Sequence, residues 1–434
     1  MMEWYVVGLG MLGLLMGFIL IGLPIPFALA AASIPFLLDI LSFKSTLVTA
    51  ELKLWGVWFD YILLAVPLFV FLGELIGRSS IGPNLYWFMH SKLPIRGAAA
   101  YGSIGACAGF GAVCGSSMVG ALTIGGVALP EMLKLGYGKR LSSGVLAAGG
   151  TLSVLLPPSL ILLFYGIVTD QSIGALFIAG VLPGLLLVSM FFVIILIWGK
   201  VRPIDIPGQE NVTPIPWLLA LSAILPVMVI GLVITVSIYA GIATPTEAAG
   251  VSAMFTLVLA YFFGGLRLPG LLHALRSTMQ TMGYLGLLLS SGVLFGFVMT
   301  YHQIPQQFTQ LFVEMNLSPY AVLALIVVFY VILGMFLEPV SMTFITLPTL
   351  YPLVSAAGFD LIWFGVVYTI TMEIAVLTPP VGLNLFVIQN LARDEVTIGD
   401  VIIGCLPFIA ALLILLAVLV GLPDTALWLP ELME

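Results

Sequence analysis

Apolar stretches of nearly twenty residues, separated by short polar or glycine- and proline-rich breaks, recur from one end of the chain to the other. A helix of about 20 residues crosses a hydrocarbon core of about 30 Å. In lipid the backbone must satisfy its own hydrogen bonds, so such stretches predict helices rather than open sheets. The alternating pattern of a membrane barrel is absent. The pattern predicts ten crossings, near 4–21, 26–41, 57–76, 141–168, 172–198, 217–239, 245–265, 278–301, 361–391 and 400–421. Two further stretches, 97–133 and 319–357, are long enough to enter the membrane and return. Their centres are Gly115-Ser116-Ser117 and Glu338-Pro339-Val340-Ser341. Both predict re-entrant hairpins, the alternative being pairs of ordinary helices joined by a short loop.

Composition supports an integral membrane protein. Charged residues make up 8% of the chain and hydrophobic residues 61%, against about 25% charged in soluble domains. The net charge of −7 gives no reason to expect nucleic acid. Cys107, Cys114 and Cys405 form an odd set within apolar segments, so no disulfide framework is implied. No Lys or Arg precedes Lys44, so the first segment reads as a retained helix, not a cleaved signal.

Charge sets the orientation. If residue 1 starts outside and neither hairpin crosses, eleven of the 13 Lys and Arg fall inside, leaving Lys44 and Lys53 outside. That is the positive-inside bias, and it predicts both termini outside.

A shift of 222 residues lays the second half on the first. Pro157-Pro158 falls on Pro379-Pro380, Pro130 on Pro352, Gly136 on Gly358, and Leu163-Phe164 on Leu385-Phe386. At a slightly smaller shift Gly22 and Pro26 fall on Gly241 and Pro245. Glycines and prolines set backbone geometry, which makes these matches informative. Corresponding points are separated by five predicted crossings, and an odd number inverts one half relative to the other. The expected fold is all-α, with inverted repeats over 1–200 and 201–434 and sites near the midplane where the repeats meet.

Four elements converge there: the two hairpin tips and two helices broken at Pro157-Pro158 and Pro379-Pro380. Prolines remove donors, and the carbonyls they free are costly in lipid unless they line a cavity or bind a cation. Hydroxyls and an amide lie beside them, in Thr151-Leu152-Ser153 and in Thr378 and Asn384. That set suits a hard monovalent cation such as Na⁺; a plain structural kink is the alternative. The Gly115-Ser116-Ser117 tip combines close backbone approach, two hydroxyls and a helix start, which attracts anions; small-residue packing is the alternative. Ser116, Ser117, Ser341 and Asn384 are the candidate substrate contacts. Glu338 and Glu373 are the acids at membrane depth, Glu338 as a cation ligand or tip anchor, Glu373 as a holder of nearby backbone. Thr244-Pro245-Thr246-Glu247 reads as a helix cap, with Thr244 or Thr246 as the capping residue. No Walker A loop or His-Glu-x-x-His motif is present, and Ser116 and Ser117 lack a nearby base for hydrolysis. An enzyme is not expected.

Five segments resemble the large permease subunit of tripartite ATP-independent periplasmic (TRAP) transporters, within the ion-transporter superfamily. They are Cys114-Gly115-Ser116-Ser117, Gly150-Thr151-Leu152-Ser153 through Pro157-Pro158-Ser159, and Gly241-Ile242-Ala243-Thr244-Pro245-Thr246-Glu247-Ala248-Ala249. The others are Leu333-Gly334-Met335-Phe336-Leu337-Glu338-Pro339 and Leu377-Thr378-Pro379-Pro380-Val381-Gly382-Leu383-Asn384-Leu385-Phe386. The resemblance spans roughly residues 5–430. It implies Na⁺-driven import of a small organic acid across the bacterial inner membrane, by an elevator motion of a transport domain against a scaffold domain. It implies as partners a separate four-helix membrane subunit and a periplasmic substrate-binding protein. It also implies two Na⁺ sites. One lies between the first tip (Gly115 and Ser116, with Ser117 beside them) and Ser153, Leu156 and Pro158. The other joins Gly334 and Glu338 to Ala375, Thr378 and Pro380. A stand-alone Na⁺/dicarboxylate symporter of the same architecture is the alternative.

Overall fold

The computed structural model describes residues 3–208 and 216–432; the chain ends, expected outside, lie beyond these residues. Among the described residues the fold is all-helical. The first half runs α1 (Trp4–Leu20), α2 (Ile25–Ile40), α3 (Phe43–Trp58), α4 (Ala65–Gly77), α5 (Ile81–Lys92), α6 (Ala98–Cys114), α7 (Ser117–Lys134), α8 (Lys139–Leu155), α9 (Leu160–Thr169) and α10 (Ile173–Val201). The second runs α11 (Trp217–Tyr239), α12 (Pro245–Phe262), α13 (Leu268–Tyr301), α14 (Ile304–Glu314), α15 (Pro319–Gly334), α16 (Pro339–Ala356), α17 (Leu361–Val376), α18 (Leu383–Leu391), α19 (Ile398–Gly421) and α20 (Asp424–Glu431).

Four helices, α10, α12, α13 and α19, are each long and apolar enough to cross a membrane unaided, and α8 with α9 forms a bent pair of the same kind. The 141–168 and 361–391 stretches are interrupted where the prolines stand, and the 97–133 and 319–357 stretches are two helices each, turning at 115–116 and 335–338. The stretch expected to cross over 57–76 is different. Residues 43–56 bend by 57° against 61–77, and Asp60 accepts the Ile62 N–H at 2.9 Å to start a short 3₁₀ turn. The α3 segment carries Lys44, Glu51 and Lys53, so its helix was not legible as an apolar stretch. The 278–301 stretch likewise begins earlier, at Leu268, with Pro269 in the first turn. α5, α14 and α20 have 12, 11 and 8 residues, too short for a crossing to register.

Helix boundaries recur at the 222-residue shift. α7 starts at Ser117 and α16 at Pro339, α8 at Lys139 and α17 at Leu361. Gly136 and Gly358, which turn the chain into α8 and α17, share φ values of 87° and 86°. Thr244 caps α12 through a reciprocal capping box with Glu247.

The most buried helices are α8 and α17, whose residues are almost all shielded by neighbours. They sit among α6, α7, α9, α10, α18 and α19. Apolar attraction between helices is weak in lipid, so close backbone approach carries the packing. α8 and α19 meet where Gly144 faces the Gly404 backbone, and Arg140 pairs with Asp400 at 3.3 Å near that crossing. A second group, α1, α2, α4, α12 and α13, packs mainly on itself; α11 bridges α12 to α5 and α6, α4 touches α6, and α13 touches α16.

Candidate functional site

The first tip is made by backbone. α6 ends where Gly115 turns to φ 65°, and Ser116 is extended before α7 starts at Ser117. Gly115 lies so close to the Pro158 carbonyl that a side chain there would collide with it, and its own carbonyl accepts the Leu160 N–H at 3.3 Å. The tip is thus stitched across the first break. Ser153, one turn before the break, is wedged between Gly111 and Gly120; a methyl on Gly111 would lie 2.7 Å from its Oγ. That Oγ is buried, faced by the Cys114 thiol but without a hydrogen-bond partner of ordinary geometry. Pro157 and Pro158 have no N–H, so the Ser153 and Val154 carbonyls lose their i+4 donors. Leu156 closes the last helical turn by donating to Leu152 at 3.2 Å. Past the prolines, Ser159 caps α9 by accepting the Leu162 N–H at 3.2 Å. Gly115 is thus brought against Pro158, and Ser153 against α6 and α7 on either side of the tip, with Ser116 beside Gly115 and Leu156 between Ser153 and Pro158 in the chain.

The second tip is made by side chains. Glu338 precedes α16 and its carboxylate accepts the Ser341 hydroxyl at 3.0 Å. Ser341 also lies 3.4 Å from the Tyr284 hydroxyl of α13. Gly334, at the end of α15, packs directly on Ala375 of α17. Ala375 and Val376 are the residues whose carbonyls lose i+4 donors to Pro379 and Pro380, but the Ala375 carbonyl accepts the Thr378 N–H at 3.0 Å instead. Thr378 turns its hydroxyl back to the Ile374 carbonyl at 2.6 Å. Gly382 then reverses the chain at φ 58° into α18, where Asn384 is buried with its Nδ2 unpartnered. Gly334 and Ala375 are thus brought together, while Glu338 is engaged by Ser341. Ser341, a candidate substrate contact, is buried within that bond.

The halves cross-pack in matched fashion: α9 lies on α16, and α18 on α7. Phe164 meets Phe344 with ring centroids 5.3 Å apart, and Gly125 faces Ile388 and Leu391. Buried hydroxyls tie the second hairpin together and to α17: Thr343 of α16 and Tyr368 of α17 are 2.8 Å apart, and within the hairpin Thr346 of α16 donates to Tyr330 of α15 at 3.0 Å. Sequence reasoning passed over these residues because threonine and tyrosine at helical spacing carry no motif. Glu373 corrects an expectation: its carboxylate accepts no backbone hydrogen bond. Hydroxyls and carbonyls freed by proline fit a desolvated monovalent cation, and the orphaned Ser153 Oγ and Asn384 Nδ2 fit polar guests.

The family described as "Tripartite ATP-independent periplasmic transporter, DctM component" matches residues 12–425. The chain is 33% identical over 397 residues to the C4-dicarboxylate TRAP transporter large permease protein DctM of Pseudomonas aeruginosa, covering 91% of this chain and 92% of that protein. It is 32% identical over 378 residues to the sialic acid TRAP transporter large permease protein SiaM of Vibrio cholerae, covering 86% and 87%. Among solved structures it resembles the Alcanivorax borkumensis YdaH transporter, with a TM-score of 0.65 and 13% identity over 89% of this chain and 90% of that one. That likeness concerns the fold alone.

Proposed function

The chain belongs to the DctM component family of tripartite ATP-independent periplasmic transporters, a family of multi-pass membrane permeases, and from that premise we propose that it drives Na⁺-coupled import of a small carboxylate across the bacterial inner membrane. The carrying observation is the pair of matched breaks, each beside a hairpin tip and each taking i+4 donors from two carbonyls, with the buried Ser153 Oγ lacking a hydrogen-bond partner of ordinary geometry at the first. Na⁺ is a co-substrate held by Gly115, Ser116, Ser153, Leu156 and Pro158 at the first break, and by Gly334, Glu338, Ala375, Thr378 and Pro380 at the second. Relatives named for C4-dicarboxylates and sialic acid support an organic acid as cargo.

Charge supports coupling. Among the described residues no Lys or Arg is buried, so a carboxylate entering this core needs bound cations and helix starts to offset its charge. Ser116 and Ser117 at the start of α7 and the Asn384 amide would contact it, with Ser341 holding the second tip in place. The matched helix boundaries and cross-packing support two hairpins arranged in repeats; in this reading the repeats are inverted, the crossings number ten, and the Lys and Arg distribution favours periplasmic termini. In this reading α6–α10 and α15–α20 move as the transport domain past a scaffold of α1–α4 and α11–α13, an elevator. A separate four-helix subunit covers scaffold surface, and a periplasmic binding protein delivers the substrate.

The test is reconstitution of the chain with its small subunit and binding protein, screening organic acids with and without a Na⁺ gradient. Uptake that needs all three proteins and an inward Na⁺ gradient is expected. Uptake indifferent to Na⁺ overturns the coupling, and uptake by the chain alone identifies a stand-alone symporter.

A further inference from the structure

Glu373 is 0% exposed, and neither carboxylate oxygen has a hydrogen-bond partner of ordinary geometry. The Ser117 hydroxyl faces it from the start of α7, across the boundary between the two halves. Ser117 in turn is set against α8, where its carbonyl lies 2.7 Å from the place a Gly150 side chain would occupy. A buried carboxylate without donors or a counter-charge is among the most costly arrangements a protein interior holds. The start of α7 supplies a partial positive charge, but no N–H of that turn bonds the carboxylate.

Glu373 does not belong to the second Na⁺ position. Residues two apart on an α-helix point about 200° apart, at 3.6 residues per turn. Ala375 faces Gly334 of α15, so Glu373 looks the other way, toward α7. We propose that Glu373 and Ser117 form a third monovalent-cation site, lying between the two break sites and joining the two halves. The carboxylate supplies charge and the Ser117 hydroxyl an oxygen ligand, a hard donor set that favours Na⁺. The proposal rests on the Na⁺-coupled reading above. It adds that occupancy of this site clamps α7 of the first half to α17 of the second.

The test is Na⁺-dependent thermal stabilisation of the full chain, co-purified with its small subunit in lipid nanodiscs, at constant ionic strength with N-methylglucamine replacing Na⁺. Ligand linkage makes the slope of unfolding temperature against log Na⁺ concentration rise with the number of ions bound. Glu373→Gln is expected to lower that slope by about one third, from three ions toward two. In Na⁺-free buffer this variant should unfold no earlier than the wild type. Glu373→Asp should keep the slope but need about fivefold more Na⁺, and Ser117→Ala should do likewise. A steep wild-type slope that Glu373→Gln leaves unchanged overturns the third site while sparing the Na⁺ reading. A flat wild-type response overturns that reading and this site together. Should Glu373→Gln not fold, unchanged Na⁺ midpoints in both Glu373→Asp and Ser117→Ala overturn the proposal.

Discussion

Around the first proline break, Leu156, Pro157, Pro158 and Ser159 are all buried; around the second, Thr378 and Pro379 are half-exposed and Pro380 is exposed. The peptide bond within each proline pair is cis, and the flanking helices begin at matched positions. The difference lies in how each hairpin meets its break. The first is held by close contact of glycine with backbone: Gly115 on Pro158, and Gly111 and Gly120 on Ser153. The second shares one close glycine contact, Gly334 on Ala375, and is otherwise held by hydroxyls, from Ser341 to Glu338 and from Thr343 to Tyr368, with Phe336 beside its tip 63% exposed. Steric closure leaves no slack, because a backbone contact cannot be re-formed at another distance. Hydrogen bonds between side chains can exchange for water. The comparison teaches that one repeated design can be tight at one end and yielding at the other.

The sharpest way to break this contrast is at Gly115. A valine there must adopt a left-handed backbone, at about 1–3 kcal/mol of strain, and its Cβ collides with the Pro158 carbonyl. Gly115→Val should abolish Na⁺-driven uptake in proteoliposomes while the protein still inserts; normal uptake would show that the first tip is not stitched to its break. Next comes access. With the three native cysteines replaced, Thr378→Cys should react with a membrane-impermeant maleimide at least about tenfold faster than Ser153→Cys, since thiol reactivity follows exposure. Equal rates would erase the contrast between the two breaks.

Smaller effects sharpen it. Thr378→Ala and Ser153→Ala should each raise the Na⁺ concentration for half-maximal uptake about tenfold, the equivalent of about 1.4 kcal/mol. Unchanged Na⁺ dependence in both would remove these residues from the ion sites. Tyr368→Phe deletes one buried hydroxyl partner of Thr343, a loss of about 1 kcal/mol. It should lower the unfolding temperature by a few degrees and leave the Na⁺ midpoint where it was. A shifted midpoint would mean that the hydroxyl pairing reaches the ion site.

Much of this was legible because it is written in backbone chemistry. The proline pairs announce their breaks by lacking donors, and Gly115-Ser116-Ser117 announces a tip. The spacing of 222 residues by itself pairs the helices of the two halves. The bend after α3 was not legible, because Lys44, Glu51 and Lys53 hide that helix from an apolar-stretch criterion. The Thr343–Tyr368 and Thr346–Tyr330 pairs were not legible either, since they join residues 25 and 16 positions apart on different helices.

Glu373 marks the boundary between the two kinds of knowledge. The chain alone determined that an acid stands five residues before Thr378 inside an apolar helix, because hydropathy and chain position are local properties. Only the tertiary structure decided that this acid turns away from Ala375 and Gly334 to meet Ser117, because the partner of a buried charge depends on which helix packs opposite. The same holds for the closed and open breaks: proline dictates that a helix must stop, while the neighbours that fill or leave the gap are chosen by the fold.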